Sequence, residues 1–166
     1  MIRSNQAADA APEVLRIALD AKATVTIGPL ARGGKSRVQG AAAEHDVAPA
    51  ATVPPVGLFL PTEEELFVYG VTSHGTSDCL VDRLRQWGEA VRERFPHLTT
   101  RVLTLENGPE NHSRRTQCMQ RMVDVVRQYP LHVRWAYSPP YHRKDNPVER
   151  CWGILEHHGN GALLDS

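Results

Sequence analysis

Cysteine is scarce in this sequence, aromatic residues reach only 6%, and the formal net charge is zero. Cys79, Cys118 and Cys151 are odd in number and far apart. They therefore make neither the paired spacing of a zinc site nor a disulfide framework, and a reducing cytoplasm is the compartment expected. No apolar run approaches the roughly 20 residues that cross a bilayer. The opening stretch MIRSNQAADAAPE holds no apolar core of a secretory signal. With 166 residues, 41% of them hydrophobic and 23% charged, the chain is sized for one soluble domain with a sizeable core.

The zero net charge hides an uneven distribution. Residues 1–100 hold 10 Lys/Arg against 12 Asp/Glu, residues 101–150 hold 9 against 5, and residues 151–166 hold 0 against 2. The excess of 9 − 5 = +4 falls in one stretch of fifty residues. Sixteen of the nineteen basic residues are arginine, whose planar fork suits phosphate. Coding bias is the competing explanation, so charge alone points only weakly to nucleic acid.

Hydrophobic periodicity orders the elements. VLRIALD (14–20) reads as a strand ending on Asp20, and AKATVTIG continues or re-pairs it. Residues 28–55, rich in Gly, Pro and Ala, read as a long loop or flap. VGLFLP (56–61) and ELFVYGVT (65–72), separated by TEEE, suit a hairpin. A helix is predicted over 77–95, with Leu80, Val81, Leu84, Trp87, Val91 and Phe95 on one face and Pro96 ending it. A strand follows at 99–105. The next helix, 114–129, turns Met119, Met122, Val123 and Val126 inward. HVRWAY (132–137) alternates like a strand, and a last helix opens near Pro147. The order βββαβαβα predicts an α/β fold, a mixed sheet with flanking helices. The domain reading is a poorly ordered tail over 1–13 and one domain over 14–166.

ARGGKSR (31–37) imitates a phosphate-binding loop but fails its spacing. The first glycine of that motif should stand at residue 29, which is proline, and no amphipathic helix follows. A nucleotide cofactor is therefore not expected. The segment reads as a flexible basic loop in which Arg32, Lys35 and Arg37 are candidates for contacts to nucleic-acid phosphates.

Three acids stand where elements end. Asp20 closes the first strand, and Glu106 closes the fourth, in RVLTLENGPENHS. Each is explained on its own by a turn. Glu149 lies in DNPVERCW, where Asn146 as N-cap, Pro147 as first helical residue and Glu149 reaching back would account for it as a cap. Together they allow another reading. Three carboxylates converging on one sheet edge repel one another and need cations. Mg²⁺ takes a few carboxylates plus waters and phosphates, and a pair of such ions can hold both oxygens of a phosphodiester displacement.

IALDAKATVTIGPLARGGKSR, ENGPENHSRRTQCM and SPPYHRKDNPVERCWGILE together resemble DDE-type insertion-sequence transposases, specifically the Rhodopirellula transposase group. The resemblance runs from about residue 14 to the C-terminus. It implies an RNase H-like fold and a metal-binding triad of Asp20, Glu106 and Glu149. Two Mg²⁺ or Mn²⁺ ions would serve phosphodiester hydrolysis at transposon ends, followed by strand transfer into target DNA. The implied partners are transposon-end and target DNA, with a homo-oligomer or a full-length transposase beside them, and neither a membrane nor a nucleotide cofactor. Arg114, Arg115, His142, Arg143 and Lys144, in the two motif loops, join Arg32, Lys35 and Arg37 as candidate DNA contacts.

Two departures bear on whether the chain is an active enzyme. The family pattern at the second acid is Asp-Asn-Gly, whereas this chain has Glu106. The extra methylene moves the carboxylate by roughly 1.5 Å, and a preorganised site tolerates about 0.5 Å. A DNA-binding region normally precedes the catalytic domain, and only about 13 residues do so here. The expectation is a truncated catalytic core in the cytoplasm, nucleoid-associated when DNA-bound. The alternative is a non-catalytic remnant that binds DNA or a full-length transposase.

Overall fold

The computed structural model describes residues 9, 11–22, 25–27, 51–71, 77–105, 116–137 and 146–159. Among the described residues seven strands run β1 (Val14–Ala21), β2 (Val25–Ile27), β3 (Ala51–Val53), β4 (Pro55–Leu60), β5 (Glu65–Gly70), β6 (Thr100–Leu105) and β7 (His132–Tyr137). The α-helices among them are α1 (Ser77–Ala90), α2 (Thr116–Gln128) and α3 (Pro147–Gly159). Five strands form one sheet in the order β5-β4-β1-β6-β7. β4 and β5 are antiparallel, β1 joins β4 antiparallel, and β1, β6 and β7 are mutually parallel.

β1 and β6 are central because their side chains can be buried on both faces, as a parallel neighbourhood requires. Leu15, Ile17 and Leu19 of β1 join Leu103 and Leu105 of β6 in the larger core, which α1 and α2 cover. Ala18 belongs to the other face, packed with Val148 and Trp152 of α3. Alternation along the strand puts Asp20 on this second face too. The outer strands show the solvated pattern of edges, with Val68 of β5 48% exposed and His132 and Arg134 of β7 exposed.

α1 buries Leu80, Val81, Leu84 and Trp87, the stripe its periodicity predicts. Trp87 is fully buried, edge-on to Phe67 with ring centroids 6.0 Å apart. The helix stops at Ala90, short of the expected Phe95, and a 3-10 turn over Arg92–Arg94 takes its place. Arg-Glu-Arg there has no apolar side chain to hold it on the core, so only Val91 and Phe95 keep the inward pattern going.

Two further expectations change. The 25–27 segment does not extend β1. It re-pairs with 51–53 in a separate two-stranded ladder, Val25 opposite Val53, so a strand lies inside the expected 28–55 loop. On α2 the buried residues are Cys118, Met122 and Val125, while Met119 and Val123 are 45% and 44% exposed. The sequence carries two adjoining apolar stripes on this helix, and the one containing Cys118 faces the sheet. Among the described residues no helix is long and apolar enough to cross a membrane.

Candidate functional site

Asp20 stands one residue from the end of β1, paired with Gly57 of β4. Strands β1, β6 and β7 all point their C-terminal ends to this edge, the end of a parallel sheet where ligands usually bind. Leu19 is paired with Leu105, and Glu106 is the next residue in the chain.

α3 crosses the Asp20 face. Its Trp152 donates the indole N–H to Asp20 Oδ2 at 2.9 Å. The ring lies on Gly57, where a Cβ would come within 2.6 Å of Trp152 Cζ2 and 3.1 Å of Val148 Cγ2. Small residues at 18 and 57 thus make the flat seat on which Val148 and Trp152 rest. Further along the helix, Lys22 Nζ and Glu156 Oε1 form an ion pair at 2.8 Å. Glu156 is well exposed, so this bridge adds little stability.

Glu149 is half-buried in the first turn of α3, three residues before Trp152. Residues three apart share a helix face. The same face of α3 therefore carries Glu149 and the donor to Asp20. α3 begins at Pro147, as expected, but the expected cap is different. Asn146 accepts the Glu149 amide through its backbone carbonyl at 3.1 Å. Its side chain is fully buried, and neither Oδ1 nor Nδ2 has a hydrogen-bond partner. Half-buried Cys151 donates to the Pro147 carbonyl at 3.8 Å, and burial pushes its thiol up.

The structure thus brings together the elements that bear two of the three sequence-predicted acids, Asp20 and Glu149. Glu106 lies outside the described residues, as do Arg32, Lys35, Arg37, Arg114, Arg115, His142, Arg143 and Lys144. Among the described residues no group of three His, Cys, Asp or Glu side chains stands close enough to hold a metal. Sequence reasoning missed Trp152 and Gly57. The spacing Glu149-x-x-Trp152 on a helix was a usable signal, but nothing local to it points to Asp20, 132 residues away.

No curated protein matches the chain. Solved structures do. The Mos1 pre-cleavage transpososome superposes with a TM-score of 0.59 at 10% identity, over 99% of this chain and 48% of that one. The Mos1 mariner paired-end complex with Mn gives 0.56 at 11%, over 98% and 47%. A simian T-cell lymphotropic virus intasome in complex with the PP2A regulatory subunit B56 gamma gives 0.51 at 12%, over 86% and 38%. The chain spans about half the length of the Mos1 chains it matches. At such identities the likeness establishes the fold, which is RNase H-like, with the strand order and the mixed sheet described above. The family model described as Rhodopirellula transposase DDE domain matches residues 1–166. Fold, sequence match and the meeting of Asp20 with the helix of Glu149 agree, and the chain belongs to that transposase family.

Proposed function

We propose that this chain is a metal-dependent catalytic domain that cleaves and joins DNA phosphodiesters, with Asp20, Glu106 and Glu149 as the ligand carboxylates. The observation that carries the reading is the Trp152–Asp20 hydrogen bond, which ties the first acid to the helix that presents the third. The donor set fits the ions. Carboxylate oxygens are hard ligands suited to Mg²⁺ or Mn²⁺, and the buried, unpartnered Asn146 amide adds a polar group beside the first turn of α3. When bound, two such ions supply charge neutralisation and activation of the attacking hydroxyl.

The chain's own part is positioning. Asp20 and Glu149 would hold the ions. Trp152 fixes the rotamer of Asp20, because its ring is wedged on Gly57 and cannot follow a moving carboxylate. Arg32, Lys35, Arg37, Arg114, Arg115, His142, Arg143 and Lys144 would bind the phosphates of transposon-end and target DNA, in an assembly with further copies or a full-length transposase. The Mos1 complexes, which contain transposon ends and in one case Mn, support this reading.

Mn²⁺ titration by calorimetry tests it. The natural chain should bind Mn²⁺, and Asp20→Asn and Glu149→Gln should each lose most of that affinity while keeping their circular dichroism. Normal affinity in Asp20→Asn rejects the site. A second reading, a DNA-binding remnant without catalysis, is favoured by one specific feature, glutamate rather than aspartate at 106. It predicts DNA binding that weakens steeply with salt and no nicking with Mn²⁺ present.

A further inference from the structure

At the opposite edge of the sheet from Asp20 lies a cavity of about 500 Å³, bounded by the end of α1, the start of β6 and the turn between α2 and β7. The volume falls within the range of small-ligand pockets. Its walls are mostly apolar, with Trp87, Val91, Phe95, Leu98 and Leu131 among them.

One lining residue is out of place there. Arg101 is the second residue of β6 and is only 7% exposed. Strand alternation puts it on the core face with Leu103 and Leu105. No carboxylate of the described residues pairs with it. Its Nε has no hydrogen-bond partner, and neither has the Nε1 of fully buried Trp87, which lines the same cavity. The guanidinium lies over the Trp87 ring at 5.5 Å from the centroid, so one of its faces is satisfied by the aromatic surface. Its edge rests on Gly88, where a Cβ would approach Nη1 to 2.8 Å. Glycine at 88 therefore keeps open the place the guanidinium occupies.

Buried arginines are almost always paired. Burial lowers the pKa of Arg101, with Tyr129 acting second and in the opposite direction. The other charges at the cavity do not supply a negative partner. Arg92 and Glu93 at its rim are exposed to solvent, and Glu89, outside the cavity wall, accepts from the Tyr129 hydroxyl at 2.6 Å. A buried guanidinium without a carboxylate among the described residues, set in apolar walls, defines the missing group as an acceptor with negative charge on an apolar body.

We propose that this cavity is a binding site for a carboxylate borne on a small apolar or aromatic group, with Arg101 as its charge partner and the Trp87 to Leu131 surface as its apolar seat. The chemistry is shared by a free organic acid and by an acidic side chain between leucines in a protein segment. The site is separate from the acids at the other sheet edge and stands whether or not those bind metal.

The test uses the whole natural chain and nuclear magnetic resonance of its three tryptophan indole N–H groups, with Trp87 assigned by Trp87→Phe. The probes are 3-phenylpropionate, its neutral amide, inorganic phosphate, and an end-blocked Leu-Glu-Leu peptide. Expected is a saturable shift of the Trp87 indole with 3-phenylpropionate or the peptide, with affinity on the order of millimolar. The amide should bind about tenfold more weakly or worse, since it forfeits the charge-assisted bond. The tighter of the acid and the peptide identifies the source of the carboxylate. Equal binding of acid and amide overturns the role of Arg101. Phosphate binding as tight as either carboxylate overturns the role of the apolar wall, and an unmoved Trp87 indole up to the solubility limit overturns the site. Arg101→Met should abolish the acid's preference over the amide, and the probe series on the natural chain decides the matter should that variant misfold.

Discussion

The indole N–H of Trp152 donates to Asp20 Oδ2 at 2.9 Å, joining residues 132 positions apart in the chain. This bond fixes two things at once. It pins the last helix across the β1–β4 seam, and it restrains the carboxylate at the open end of β1. A tryptophan donor suits that role because the indole offers one N–H in a fixed direction and nothing that accepts.

Trp152→Phe keeps the ring on Gly57 and removes only the donor. Stability should fall by about 1 kcal/mol, the net worth of one such bond. If the proposed site is the metal site, Mn²⁺ affinity should fall by about 10–100-fold, the usual effect of losing a hydrogen bond to a metal ligand. Urea denaturation and calorimetry read the two separately. A stability loss with unchanged Mn²⁺ affinity would show that Trp152 only packs.

Gly57→Ala attacks the same contact from the sheet. A Cβ there meets Trp152 Cζ2 at 2.6 Å, and a rigid, buried ring cannot yield as a flexible side-chain end does. The expected cost is about 1–3 kcal/mol, the usual range for overpacking. Trp152→Leu in the same chain should relieve most of it, giving a coupling energy of about 0.5–3 kcal/mol in a double-mutant cycle. Additive effects would place the strain elsewhere.

On α2, neighbouring methionines should behave oppositely. Met122 is 7% exposed and belongs to the core, so Met122→Ala should cost about 2–5 kcal/mol. Met119 is 45% exposed, and Met119→Lys should stay within about 0.5 kcal/mol. Chemical denaturation of the two variants side by side checks the orientation of the helix.

This pair also shows what the sequence made legible and what it did not. Existence and type of the major elements followed from period and punctuation, because Leu15, Ile17 and Leu19 recur at strand spacing and Leu80, Leu84 and Trp87 at helix spacing. α2 offered Cys118, Met119, Met122, Val123, Val125 and Val126, two adjoining stripes, and only the sheet could choose between them. The β2–β3 ladder joins segments separated by the 28–50 stretch, so no local pattern announces it. The acids Asp20 and Glu149 stood out in the sequence by their places at a strand end and a helix start, and the structure joins the elements that bear them. Their support was not legible, because Trp152, Gly57 and Ala18 look like ordinary core residues until the chain brings them together. The same holds for Arg101, which alternation assigns to a core face that its charge argues against.

Alkaline titration should single out Tyr137. Burial first, and the nearby Cys118 second, push its phenol up to about 12. The neutral form is favoured in the folded state, so its stabilisation is complete below the ordinary tyrosine value of 10.0 and is lost as pH rises towards about 12. Tyr137→Phe should therefore flatten part of the stability loss above that lower limit. At neutral pH it should be neutral or slightly stabilising, because the buried hydroxyl has no hydrogen-bond partner. Denaturation midpoints across the alkaline range, natural chain against variant, give the comparison.

Glu106 directly follows Leu105, which pairs with Leu19 beside Asp20. A glutamate there carries its carboxylate roughly 1.5 Å farther from the backbone than an aspartate, beyond the roughly 0.5 Å that a preorganised site absorbs. Glu106→Asp should therefore raise Mn²⁺ affinity, and Glu106→Gln should lower it, because only the charged group repays the desolvation of the ion. Gain in the first variant with loss in the second would mean that Glu106 is a ligand working at the wrong length. Loss in both would mean that the neighbouring residues have adapted to the longer acid, and that the natural chain holds a fully formed site. Indifference in both would remove Glu106 from the site and leave Asp20 and Glu149 to account for any ion bound.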